Sequence, residues 1–485
     1  MERLAGMQQP RSLTDEVFRN REQELLDDKS KPYVYYTLGD LSADPYIWNY
    51  KDILKLHKFK PEQEARRGQL MAEFRRKNLK FINYLVKEFE LKRNAQQLSR
   101  AQISKSGEID VKKLFKYRIS EDLFQKITTV PKGKNHGLVM FYDMSGSMSA
   151  HMAGVIEQTL ILVEFCRKVN IPFEVYGFTN DTDVFYRREN QDDSMKDALD
   201  IWQKDWERRS AVAENEDRTV LNSDKNFRLQ QYFSSDMSST DYKRMMGNMI
   251  MVMKSWINNM CRDRSKYDYD WSTYSPDIEH LHSTPLNSAI LISSDIFRRF
   301  KLRTGAEVVN MVFLTDGESD QCTRISNGWN DYTREDGTKY KEINYETLSS
   351  GWNINSILTD GITKQSFKLK ARSASRAVQK GLLEAVRART GCNIVGFFLT
   401  NSIRGTVGNE LRYQNDDSFE NKRIEDRIME QFKRDRVAIL KEAGYNEYYI
   451  VKDDMSFEDE FEVEANADIK DIARAFRKMQ KGKVL

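Results

Sequence analysis

Apolar residues along this chain follow two kinds of pattern. Between Pro61 and about Gln102 they recur at mostly three- and four-residue steps (Leu70, Phe74, Leu79, Ile82, Leu85, Phe89, Leu91) with basic residues between them, which predicts a helix. From Gly137 the pattern becomes short continuous apolar runs, several of which stop abruptly at small polar residues. GLVMFYDMS, PFEVYGFT, VVNMVFLTDG, GCNIVGFFLT and EYYIV are such runs. A strand covered on both faces reads this way. Helical spacing lies between and after them: Met152, Ile156, Leu160, Val163 and Val169, then Thr284-Pro285 to about Phe300, then 373–390, 423–443 and 467–480. Alternating strands and helices predict a doubly wound, mostly parallel α/β sheet. Ligands of such sheets collect at the carboxyl ends of the strands.

This divides the chain into three parts. Residues 1–60, with Tyr and Trp among polar residues and no clear period, read as an N-terminal arm or small subdomain with short elements. Residues 61–130 read as a basic helical region and linker, and 131–485 as the α/β domain, interrupted by insertions at about 180–283 and 320–370. Insertions this long should contain structure or serve a partner. The first carries Met245, Met246, Met249, Met251, Met253 and Met260. A Met-rich helix packed on the domain is the ordinary reading, and an adaptable partner-binding surface the sharper one. The second is rich in Gly, Asn, Asp and Tyr and reads as turns, with room for a hairpin.

Charge narrows the function classes. The 485 residues hold 77 Lys and Arg against 74 Asp and Glu, a net +3, which argues against a chain built to wrap nucleic acid. Charged residues make up 31%, above the usual ~25%, so much solvated surface is expected around one core. Residues 51–100 concentrate 14 basic against 6 acidic residues. That surplus fits a solvated helix face, a docking surface for an acidic partner or for the chain's own Phe457–Glu464, or, least of all, nucleic acid. No apolar run reaches the ~18 residues of a spanning helix, and the first residues hold no signal-like apolar segment. The expectation is a soluble, cytoplasmic chain with no membrane contact.

Four cysteines stand far apart, without a CxxC pair, so neither a thiolate zinc site nor a redox dithiol is suggested. Cys166 and Cys392, in apolar periodic segments, read as small core residues. His280 and His282 could share a strand face but lack a third ligand at metal spacing.

Three short pieces at strand ends are chemically related: Asp143-Met-Ser-Gly-Ser147, Ser283-Thr284-Pro285-Leu286 and Leu314-Thr315-Asp316-Gly317. Singly, each has an ordinary role, as a helix cap or a turn. Together they offer the carboxylates of Asp143 and Asp316 and the hydroxyls of Ser145, Ser147 and Thr284. Hard divalent cations want such oxygens, and Mg²⁺ leaves some positions to water or to another molecule. Gly146 lets the backbone turn so that both serines aim at one point. With only two carboxylates the ion stays electrophilic, so a partner's acidic side chain could complete its shell.

DMSGSMS, STPLNSAI and FLTDGESD resemble the three loops of the von Willebrand factor A fold and its metal-ion-dependent adhesion site. The resemblance implies Mg²⁺ (or Mn²⁺ or Ca²⁺) held by Asp143, Ser145, Ser147, Thr284 and Asp316. Residues 92–148 further resemble the entry to the A domain of the aerobic cobaltochelatase T subunit, most like the versions carried by T4-like bacteriophages. That likeness implies a bacterial cytoplasm and partnership with a hexameric AAA+ ATPase; self-association stays open. The chain lacks an acidic low-complexity linker of the bacterial chelatase type, and its first insertion is larger than in a minimal A domain.

No GxxxxGK[ST], HExxH or GxSxG occurs, so the chain is not expected to hydrolyse ATP itself. His151 is near the serines in sequence but is expected to point from the first helix turn rather than serve as their base. The expected function is a metal-dependent adaptor for an AAA+ motor. Its alternatives are a component of a chelatase inserting cobalt or magnesium into a tetrapyrrole, and a metal-dependent hydrolase or peptidase.

Overall fold

The structure, a computed structural model, describes residues 34–57, 59, 61–99, 102–109, 124–129, 135–180, 221–222, 227–260, 277–279, 281–317, 319, 323–333, 339–347, 356–369, 374–414, 418–435, 438–440 and 444–452. Its centre is an eight-stranded sheet of β1 (Ile47–Trp48), β2 (His136–Asp143), β3 (Phe173–Asn180), β4 (Phe227–Ser234), β5 (Val308–Thr315), β6 (Asn393–Thr400), β7 (Ala438–Leu440) and β8 (Glu447–Lys452). The strand order is β7-β8-β6-β5-β2-β3-β4-β1. Five strands, β8, β6, β5, β2 and β3, run parallel; β7 is antiparallel to β8, β4 is antiparallel to β3, and β1 follows β4 in parallel. The molecule is thus mixed α/β around a largely parallel sheet.

The continuous apolar runs follow from cover on both faces. In β2, Val139 and Phe141 enter one core while Leu138, Met140 and Tyr142 enter the other. In β5, Val309, Met311 and Phe313 alternate with Val312 and Leu314 in the same way. Side chains of a strand point alternately to opposite faces, so a strand buried on both faces has no polar positions to spare.

Eight α-helices are present among the described residues: α1 (Tyr50–Leu56), α2 (Pro61–Ser99), α3 (Met152–Lys168), α4 (Ser239–Met260), α5 (Leu286–Thr304), α6 (Ala374–Thr390), α7 (Ile403–Gln414) and α8 (Ser418–Asp435). Core residues of α1 to α4 lie on one face of the sheet and those of α5 to α8 on the other. The methionines of α4 settle into that first core: Met245, Met246, Met249, Met251 and Met253 are all buried.

Several expectations change in detail. On α2, Leu70, Phe74 and Ile82 are buried, but Leu79 and Leu91 stand on the surface. The i, i+4 row continues instead through Asn78, which is buried and donates to the Phe74 carbonyl and to Glu157 (3.2 and 3.3 Å). The helix expected over 423–443 ends at Asp435. Ala438 and Leu440 follow as alternately buried positions of β7, paired with β8. Helix α7 was not expected. Within the expected first insertion, β4 and α4 complete the sheet and its cover. The second insertion contains the antiparallel pair Thr323–Thr333 and Lys339–Thr347. The expected helix 467–480, His280, Cys261, Cys322 and Phe457–Glu464 lie outside the described residues.

Candidate functional site

Asp143 is the last residue of β2, and Thr315 the last of β5 beside it. Thr315 Oγ1 donates to Asp143 Oδ2 at 2.6 Å. Asp143 is fully buried, and its second oxygen, Oδ1, has no hydrogen-bond partner. A buried carboxylate with an orphaned oxygen is costly. Burial pushes the Asp143 carboxyl up to about 8; the Thr315 bond and the Ser145 hydroxyl and amide oppose this, while neighbouring Asp316 adds to it.

After Asp143 the chain continues extended through Ser145 and turns in a short 3-10 segment, Gly146–Ala150. The second loop locks onto this turn by its backbone: His282 N–H donates to the Met144 carbonyl (3.0 Å) and Gly146 N–H to the His282 carbonyl (2.7 Å). Those two bonds bring Thr284 to the site. Thr284 and Ser145 do not cap helices with their side chains; the N-cap of α5 is Pro285, and neither that cap nor Ser145 makes a side-chain capping bond. The first N–H groups of α5 find another acceptor, since Asn287 N–H donates to Ser319 Oγ at 2.7 Å.

The hydroxyls face one another instead. Ser145 Oγ and Ser147 Oγ are 3.0 Å apart, and Ser147 Oγ donates to Asp316 Oδ1 at 2.7 Å. A Cβ placed on Gly317 would stand 3.8 Å from both Ser147 Oγ and Thr284 Oγ1, so the third loop bends close past the other two where it has no side chain. The Asp316 side chain is only 6% exposed. Burial raises its pKa, and the Ser147 bond and the charge of nearby His151 pull the other way. All five residues named from sequence therefore gather at the carboxyl ends of β2 and β5 and the loop before α5.

Two residues were missed. Thr315, which anchors Asp143, reads in sequence as the tail of an apolar run. His151 does not point away: its Nε2 lies 3.9 Å from Asp316 Oδ2, and the residue is buried. It caps α3 through its backbone and carries no local signal of that orientation.

The donor set fits a hard divalent cation. Neighbouring oxygens on an octahedron with 2.0–2.1 Å metal bonds stand about 2.9 Å apart, close to the Ser145–Ser147 and Ser147–Asp316 separations. Asp143 is fully buried with Oδ1 lacking a partner, and the part-buried Asp316 reaches the same serine pair. Among the described residues no group of three His, Cys, Asp or Glu could hold a metal, so a cation held here would depend on the hydroxyls. None of the described helices is long and apolar enough to cross a membrane.

No family model matches the chain, and no curated protein matches it. Among solved structures it is similar to the pilus adhesin SpaC from Lactobacillus rhamnosus GG in its open conformation. The TM-score is 0.27 and the identity 11%, over 56% of this chain and 24% of that one. The chain thus spans about a quarter of the adhesin's length. At this distance the likeness carries no argument about fold or function, and it lends no support to a cobaltochelatase T-like identity.

Proposed function

We propose that this protein is a metal-ion-dependent adaptor, in which Asp143, Ser145, Ser147, Thr284 and Asp316 hold Mg²⁺ or a similar cation. The observation that carries the reading is the convergence of four side-chain oxygen donors beside the orphaned, fully buried Asp143 Oδ1. When bound, the cation would offer an electrophilic position to a carboxylate of a partner. The chain's own residues supply the frame. Thr315 orients Asp143, Ser147 orients Asp316, and the His282 backbone ties the second loop to the first.

An AAA+ ATPase is the proposed partner, on the resemblance of residues 92–148 to the cobaltochelatase T subunit. In this reading the chain passes the motor's movement to a client and does no bond chemistry itself. The test is affinity capture of the ATPase by wild type and Asp143→Ala, each with and without EDTA. Capture should be lost on either change. Equal capture in all four arms rules the adaptor reading out.

A further inference from the structure

A second polar cluster lies buried behind the site, on the face of the sheet covered by α1 to α4. His57, the C-cap of α1, places Nε2 2.7 Å from Glu279 Oε1. Asn248 of α4 donates its amide to His57 Nδ1 (3.3 Å), and Arg67 of α2 donates to Asn248 Oδ1 (3.1 Å). Arg67 thereby sets the Asn248 amide, the amide makes Nδ1 an acceptor, and the proton falls on Nε2, which donates to Glu279. The other Glu279 oxygen accepts from Tyr232 of β4 at 2.7 Å. Gln230, two residues earlier on that strand, donates to the Ile278 carbonyl at 3.1 Å. His57, Gln230, Tyr232, Asn248 and Glu279 are all at most 2% exposed.

Packing does not demand such a cluster. Asn248 sits between Met246 and Met249, and apolar side chains there would avoid the desolvation cost. What polar groups add is direction. Glu279 closes the short 3-10 turn Asp277–Glu279, three residues before His282, whose backbone holds the first loop, and five before Thr284. Tyr232 OH also lies 3.5 Å from the sulfur of Met144, between Asp143 and Ser145. The cluster therefore grips the second loop at its root and touches the first.

We propose that the Arg67–Asn248–His57–Glu279–Tyr232 chain is a positioning device through which the N-terminal helices α1 and α2 hold Thr284 in place and so set the affinity of the site for its cation. This rests on the metal-site reading above. The consequence is that a partner displacing α2 changes cation binding without touching a ligand.

The test is a calorimetric titration of the full chain with Mg²⁺ alone, with thermal unfolding measured in parallel. Tyr232→Phe removes one hydroxyl and keeps the ring; His57→Leu removes both ring nitrogens; His57→Gln restores a donor toward Glu279. Supporting partners around metal sites typically contribute about ten- to a hundred-fold in affinity. Tyr232→Phe and His57→Leu should weaken Mg²⁺ binding by about that factor, and His57→Gln should recover most of it. If His57→Leu does not fold, Tyr232→Phe carries the test alone. Lower thermal stability with unchanged Mg²⁺ affinity overturns the proposal and leaves the metal site standing. Wild type that fails to bind Mg²⁺ overturns both.

Discussion

Asp143 shows how much one residue's surroundings decide. Its two oxygens have different fates, one bonded to Thr315 and the other without a partner. Thr315→Val keeps the shape and deletes the donor to Oδ2, leaving the buried carboxyl without its one close hydrogen bond. The loss should be about 1–3 kcal/mol in chemical denaturation, and Thr315→Ser should recover most of it. An unchanged denaturation midpoint for the valine variant would mean that the carboxyl is satisfied from elsewhere. At this scale the five residues that gather at the site were legible because each stands where an apolar run breaks off or a helix begins, and the three pieces together offer one kind of oxygen donor that capping or turn duties, piece by piece, do not call for. Thr315, His57 and Glu279 were not. Each gains its role from a partner at least 170 residues away in sequence, and no local pattern records such a meeting.

Among the elements, the parallel strands were readable from their unbroken apolar runs, whereas α7 was not. Its core contacts, Ile403, Val407 and Leu411, keep a clean four-residue step. Gly405 and Gly408 lie within it, and glycine lowers helix propensity by about 1 kcal/mol per residue. Pairing of distant strands was also beyond reach. Strand Val34–Leu38 pairs with Ser356–Asp360 in parallel, and Arg389 of α6 fastens the junction. Its guanidinium donates to the Leu38 and Gly39 carbonyls (3.1 and 3.0 Å) and to Asp360 Oδ1 (2.5 Å). Burial by itself would raise the Asp360 pKa, but Arg389, the Ile362 amide and Thr363 outweigh it and hold the group below its ordinary value. A carboxyl so depressed adds stability above its unfolded pKa of about 3.9 and loses it as pH falls through the lower folded value. Arg389→Ala leaves that buried carboxylate unpaired and should cost about 3–5 kcal/mol at pH 7. The gap to wild type should narrow below about pH 4; a gap independent of pH down to 3 would contradict the assignment.

On the scale of the whole molecule, the site and the frame that builds it draw on widely separated stretches of the sequence. Helices α1 and α2 precede β2 and share one face of the sheet with α3 and α4, while α5 to α8 cover the other. Three loops from separate crossovers meet only when this sandwich is complete, so the proposed cation would bind the folded state alone and stabilise it by mass action. With Mg²⁺ at a hundred times its dissociation constant the gain is about 2.7 kcal/mol. For a chain of this size that corresponds to a rise of a few degrees in the unfolding midpoint, roughly 2–5 °C. Asp143→Ala should abolish the rise. In chelator it should lose no more than the roughly 1–3 kcal/mol of the Thr315 bond, because the other buried oxygen it removes has no partner. That pairing of outcomes separates a residue kept for its ligand from one kept for the fold. A variant that still responds to Mg²⁺ to the full extent would place the cation elsewhere, and a variant much less stable in chelator would make Asp143 a structural residue.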